Sequence, residues 1–327
     1  MSSYDINVSV GIIINKNDQV LLSKRSKHVH QGNLWEFPGG KQISGEDSKS
    51  TLFREIFEEL GLQILKARPF IKLHYSYPEQ PTILNVWLVT EWKGSPKNKE
   101  GQPIKWVDKE KLSKFDFPPA NKMIISALQL PQIYLISPGP RGDITDFYRG
   151  INSCVSAGAK LLQLRCKEEL YQNGRDIITR VMSICRENNS KLLLNSSPGT
   201  AVTYSADGVH LNSVRLLQLN ERPLDKNYIV SASCHSQNEL AHAARIGVDF
   251  AVLSPVKNTP SHPDAEPLGW KKFSQLVYSS NIPIYALGGM QPEDLQTAWD
   301  YGAQGIAMLS GVWSSNEPGE IVKNCLQ

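Results

Sequence analysis

Apolar residues follow two different rhythms along this 327-residue chain. In the first, apolar runs at 8–15 (VSVGIIIN) and 20–25 (VLLSKR) flank Lys16–Asn17–Asp18–Gln19, the pattern of a β-hairpin. A helical stretch follows at about 47–60, then β-like runs at 70–77, 83–92 and 104–107. A turn at Asp116–Phe117–Pro118–Pro119–Ala120–Asn121 leads into a short helix over 121–129. Mixed strands with few helices predict an α+β sandwich for residues 1–129.

Beyond Leu130–Pro131 the rhythm becomes strand–helix alternation. Eight apolar runs lie at 133–137, 159–165, 191–195, 208–212, 228–233, 250–254, 283–287 and 305–309. Amphipathic stretches such as 176–188 and 237–247 separate them. Eight βα units over residues 131–327 predict an α/β domain, a (β/α)8 barrel or else an open doubly wound sheet. In a barrel, functional residues belong at the C-terminal ends of the strands.

Composition narrows the function classes. The hydrophobic fraction of 40% suits two cores, and a net charge of +3 argues against a stable nucleic-acid-binding surface. Five cysteines without C-x-x-C spacing predict reduced, structural thiols and a cytoplasmic protein. No apolar run approaches the roughly 20 residues a membrane span needs, and the N-terminus lacks the pattern of a signal peptide.

The densest chemistry lies between Gly40 and Leu62. Glu55, Glu58 and Glu59 are spaced by three and four, so a helix puts them on one face, where like charges repel. A divalent cation offsets that repulsion, and clustered hard oxygens suit Mg2+ or Mn2+ and phosphate chemistry. The stretch G-x5-E-x7-R-E-U-x-E-E-x-G-U, with U apolar, is present in full from Gly40 through Glu46, Arg54, Glu55 and Gly61. It resembles the Nudix box of the hydrolases that cleave nucleoside diphosphates linked to another group, and implies an α+β Nudix sandwich. By that resemblance Gly39 adds a backbone carbonyl to the metal ligands Glu55, Glu58 and Glu59, and Arg54 orients a glutamate. Glu46 is expected to brace the loop.

The resemblance extends through 10–15, EFPGGK (36–41), KEGQP (99–103) and FPPAN (117–121) to the MutT branch of that family. That branch hydrolyses 8-oxo-dGTP to 8-oxo-dGMP and pyrophosphate, sanitising the nucleotide pool and preventing mutation. The resemblance implies nucleotide contacts from Arg25 and His30, and a pocket lined by Glu36, Phe37, Pro38 and Gly39. It assigns Asn121 to the base, though an asparagine there also suits a helix N-cap. Glu100 matches an acid near the metals, as a further ligand or the base. Leu34–Trp35 and Gln80–Pro81 depart from the branch pattern.

The second half resembles the thiamine-phosphate synthase family and its tautomerase-like relatives, through Gln163–Leu164–Arg165–Cys166–Lys167, Asn195, Gly208–Val209–His210–Leu211, Ser231–Ala232–Ser233 and Leu287–Gly288–Gly289. Gln163, Arg165, Lys167 and Asn195 then belong to a ligand site. Gly288, Gly289, Ser310 and Gly311 suit a phosphate held by backbone N–H groups. The family's metal-binding acids are missing: Asn195 is followed by Ser196–Ser197, and Leu211 by Asn212–Ser213–Val214–Arg215. The implied partners are 8-oxo-dGTP and, in the barrel, a phosphorylated thiazole or pyrimidine. The barrel's role stays open among altered thiamine-pathway chemistry, sensing of a phosphate ligand, and support of its neighbour.

Overall fold

The computed structural model describes residues 5–29, 31–77, 81–140, 142–165, 175–259 and 263–326. The chain divides into two compact units, Met1–Leu130 and Pro131–Gln327.

The first unit is built from β1 (Ile6–Ile13), β2 (Gln19–Lys24), β3 (Trp35–Glu36), β4 (Gly39–Lys41), α1 (Ser48–Leu60), β5 (Gln63–Ser76), β6 (Pro81–Lys93), β7 (Ile104–Asp108) and α2 (Pro119–Leu128). Its strands form two sheets, β4-β1-β6-β5 and β3-β2-β7. The hairpin expected from β1 and β2 does not form. The turn is there, with Asn15 Oδ1 accepting from the N–H groups of Asn17 and Gln19. After one bridge between Ile14 and Val20 the strands enter different sheets. Both edges of β1 are already taken, by antiparallel β4 and parallel β6.

Period-two alternation then serves two cores at once. Ile12 and Leu22 join Phe37, Leu73, Val86 and Ile124 in one cluster. Their neighbours Ile13 and Leu21 join Leu52, Ile56 and Leu60, the inward stripe of α1, in the other. This double-sided packing fixes α1 on the β1 face and points its glutamates away from the core.

In the second unit eight parallel strands close a barrel in chain order: β8 (Ile133–Ile136), β9 (Leu161–Leu164), β10 (Lys191–Leu194), β11 (Gly208–Leu211), β12 (Ile229–Cys234), β13 (Phe250–Leu253), β14 (Ile284–Ala286) and β15 (Gly305–Met308). The pairing of β15 with β8 completes it, so the sheet is not open and doubly wound. Inside, the rings of Tyr134, Phe250 and Tyr285 pack edge to face or tilted at 5.1–5.8 Å. Cys154, Cys185, Cys234 and Cys325 are free and buried. Burial pushes the first three thiols up to about 12 and Cys325 to about 11, which leaves them inert. No helix among the described residues is long and apolar enough to cross a membrane.

Candidate functional site

Helix α1 is closed at both ends by its own sequence. Asp47 caps the start, accepting from the Ser50 N–H at 2.7 Å. Gly61 ends it in the left-handed conformation at φ 68°. Arg54 on this helix is the hub of the acidic face. Its Nε and Nη2 form a two-pronged pair with Glu46 at 2.7 and 3.0 Å. Its Nη1 reaches Glu55 at 2.8 Å and Glu58 at 3.0 Å. The guanidinium thus offsets part of the repulsion among the acids. Hydrogen bonds from Arg54, Thr51 and the Ile43 backbone draw the Glu46 carboxyl down to about 2. Glu46 is therefore an ionised brace between the loop and the helix.

Glu59 has a different setting. It accepts from the Gly39 N–H at 3.2 Å. Burial, and then the charges of Glu100, Glu36 and Glu55, push its carboxyl up to about 8. Glu100 comes near because its loop hangs on the last turn of α1. Lys97 N–H donates to Leu60 O at 2.8 Å, and Lys99 N–H to Glu59 O at 3.0 Å. Lys99 Nζ donates to Phe57 O at 3.2 Å. The two backbone N–H groups satisfy carbonyls that a helix end leaves unpaired, and the Lys99 ammonium adds a second donor to Phe57 O, which already accepts from Gly61 N–H.

The chemistry of this donor set fits a divalent cation: ionisable carboxylates beside backbone oxygens, with the Glu59 carboxyl pushed up first by burial and then by its acidic neighbours. Gly40 keeps room for it, since a Cβ there would stand 2.3 Å from the Glu55 carboxyl carbon. Among the described residues no three acidic side chains are drawn together as a ready cage, and Arg54 holds Glu55 and Glu58.

Beside this face lies the proposed nucleotide pocket. Arg25 is ion-paired to Glu36, whose carboxyl burial raises while Arg25 pulls it down. Phe37 is buried and stacks on Phe117 at 5.8 Å. Pro38 is spent on structure, its carbonyl accepting from Gly11 N–H at 2.8 Å. Asn121 is the third residue of α2, not its N-cap, and is 9% exposed. Its side chain makes no hydrogen bond to another described residue, so both donor and acceptor are available to a ligand. His30 lies outside the described residues. Sequence reading passed over Tyr77, which senses the charges of Arg25 and Glu36 and packs on Tyr75 at 4.6 Å. An aromatic pair two residues apart at a strand end was the available signal.

The barrel carries a cavity of about 280 Å3 at its strand ends, lined by Gln163, Arg165, Asn195, Gly288, Gly289 and Ser310 among others. Gly311 backs the loop instead, where a Cβ would meet Met290 O at 2.2 Å. Lys167 lies outside the described residues. Gly288 and Gly289 both have positive φ, 99° and 67°. A buried polar chain leads to the cavity. Asn195 Nδ2 donates to Gln163 Oε1 at 3.0 Å, and Gln163 Nε2 to the Tyr134 hydroxyl at 3.1 Å. His210, quoted in the sequence pattern but given no role, sits between Ser231 and Ser233, each at 2.8 Å. Burial first, then Arg165 and Arg215, hold its imidazole down at about 3, hence neutral.

A carboxylate-faced helix on a two-sheet α/β domain, followed along the chain by a closed parallel barrel with a polar strand-end cavity, defines a two-domain protein. The first half matches the NUDIX domain over residues 9–127, and the second matches thiamine monophosphate synthase over 133–312. The 8-oxo-dGTP diphosphatase of Escherichia coli K12 is 40% identical over 124 residues, 38% of this chain and 96% of that protein. A putative thiamine-phosphate synthase 2 of Aquifex aeolicus is 32% identical over 188 residues, 56% of this chain and 98% of that protein. The thiamine phosphate pyrophosphorylase of Pyrococcus furiosus shares the fold, with a TM-score of 0.50 at 22% identity over 60% of this chain and 93% of that one. The chain belongs to the thiamine monophosphate synthase family through its barrel and carries a Nudix hydrolase domain before it. Nudix hydrolases in general need a divalent metal ion.

Proposed function

We propose that the first unit is a Mg2+-dependent 8-oxo-dGTP diphosphatase, releasing 8-oxo-dGMP and pyrophosphate, with Mn2+ as a possible replacement ion. What carries this reading is the joint presence of the Arg54-linked acidic face and of Asn121, a buried amide with no hydrogen bond to another described residue, in a domain 40% identical to an 8-oxo-dGTP diphosphatase. Glu55, Glu58, Glu59 and the Gly39 carbonyl would hold the ion. When bound, it screens the phosphate charge and activates water. Arg54 keeps Glu55 and Glu58 oriented from behind. Glu100 accepts the proton of the attacking water, its loop held to the end of α1. Arg25, His30 and the Glu36–Gly39 segment contact the nucleotide, and Asn121 reads the oxidised purine edge with one donor and one acceptor. Buried hydrogen-bonding groups reject a base lacking the matching group far better than an apolar pocket does. The test is pyrophosphate release from 8-oxo-dGTP and from dGTP with Mg2+. Equal kcat/KM on both would overturn the assigned specificity.

For the second unit we propose binding of a phosphorylated thiazole or pyrimidine in the strand-end cavity. Gly288, Gly289 and Ser310, which line the cavity, support this, and Gly311 would add its backbone from the loop behind them. Gln163, Arg165, Lys167 and Asn195 would complete the ligand's surroundings.

A further inference from the structure

Joining a pyrophosphate-activated group to a second heterocycle calls for a divalent cation on the leaving pyrophosphate, held by carboxylates. The barrel cavity's donor set does not fit one. Among the described residues its lining contains no Asp or Glu side chain. Its oxygens belong to amides and hydroxyls, and several are already committed. Asn212 Oδ1 accepts from the Arg215 N–H at 2.8 Å and caps the helix Ser213–Leu217. Asn195 donates to Gln163, and Ser233 is bonded to His210.

What the structure brings to this corner instead is positive charge. Arg165 lines the cavity, and its side chain makes no hydrogen bond or ion pair to another described residue. Arg215, half-buried on the helix Ser213–Leu217, donates from Nη1 to Asn195 Oδ1 at 3.4 Å. Both arginines are close enough to disfavour protonation of His210, which also lines the cavity. Two guanidiniums therefore act on one small polar space with no carboxylate in its described wall. A guanidinium fork matches phosphate oxygens in pairs and keeps its charge at any physiological pH.

We infer that the barrel cavity takes a phosphorylated heterocycle directly on Arg165 and Arg215, without a divalent cation, and does not form thiamine phosphate. Arg215 supplies from the protein the charge that an ion would otherwise bring. This rests on the reading that the cavity binds a phosphorylated ligand, and adds what neutralises the phosphate.

The test is calorimetric titration of the full chain with thiazole phosphate, in EDTA and in Mg2+. The expected result is binding in EDTA with a Kd within about twofold of that in Mg2+, and roughly tenfold or greater weakening in EDTA for Arg165→Gln and Arg215→Gln. Arg165 is exposed, so folding is not at stake in its variant. If Arg215→Gln does not fold, Arg215→Lys keeps the charge, removes the fork, and is expected to weaken binding by a smaller factor. Binding in Mg2+ that vanishes in EDTA overturns the inference while leaving the phosphate-ligand reading intact. Affinity unchanged in a folded Arg215 variant overturns the assignment of Arg215. Absence of binding in both buffers overturns the underlying reading as well. Thiamine phosphate formed from the two synthase substrates and Mg2+ also overturns the inference.

Discussion

Arg54 does for the acidic helix part of what a counter-ion would do, and it does so from inside the chain. Its removal frees Glu46, Glu55 and Glu58 at once. Arg54→Ala is therefore expected to lower kcat/KM for 8-oxo-dGTP by about 10- to 100-fold, the usual effect of losing a group that orients ligands, with raised Mg2+ demand in a metal titration. Glu58→Gln is expected to abolish most turnover with little stability loss, because that side chain is 53% exposed and its contact is the surface pair with Arg54. Spacing alone made the shared face of Glu55, Glu58 and Glu59 legible. It did not reveal that Glu46 takes both prongs of Arg54, nor that Glu100 reaches Glu59, because each depends on a loop that closes back onto α1. In the barrel, His210 yields a pH prediction. Its ordinary value of 6.5 falls to about 3 in the folded state. The unfolded chain binds a proton below about 6.5 that the folded barrel refuses, so stability is present above that pH and is lost as pH falls toward 3. Urea midpoints should drop between pH 7.5 and 5.0. The drop should be smaller in His210→Asn, whose midpoint at pH 7.5 is itself lower because Ser231 and Ser233 lose their partner.

At the scale of elements, the strands and helices were easier to read than their pairing. The barrel runs were legible because strands buried on both sides are continuously apolar, as in β8 and β13. The first half hid more. The turn at Asn15–Gln19 has every local mark of a hairpin, and only the occupation of both β1 edges sends β2 elsewhere. The first part of β5 escaped notice because register shifts at Ile64/Lys66, Lys66/Ala67 and Pro69/Ile71 break its period of two. The end of α1 was legible from Gly61, and its αL geometry can be tested directly. Gly61→Ala puts a Cβ into a left-handed residue, at a cost of about 1 kcal/mol. The new Cβ would also stand 2.9 Å from Lys99 Cε, on the loop that carries Glu100. A lowered urea midpoint with the hydrolytic site still formed at low temperature is the expected outcome.

At the scale of the whole molecule, the two halves present opposite electrostatic solutions to the same ligand chemistry. The Nudix half gathers carboxylates, and burial with acidic neighbours pushes Glu59 up to about 8. The barrel half shows the Arg165 guanidinium and the Gly288–Gly289 backbone at its cavity, with no acid in its described lining. On the functions proposed above, the first arrangement would bind phosphate through a metal and the second without one. Their dependence on Mg2+ should therefore separate within one preparation. In EDTA the full chain is expected to lose hydrolysis of 8-oxo-dGTP while retaining calorimetric binding of thiazole phosphate. Glu58→Gln should reproduce that pattern in Mg2+, and Arg215→Gln should invert it, keeping hydrolysis and weakening the barrel ligand. If Arg215→Gln also lowered hydrolysis while its melting curve matched the wild type, the two sites would be coupled through a difference in state that both ligands sense. In that case thiazole phosphate itself must shift KM or kcat for 8-oxo-dGTP, which steady-state kinetics with and without it would detect.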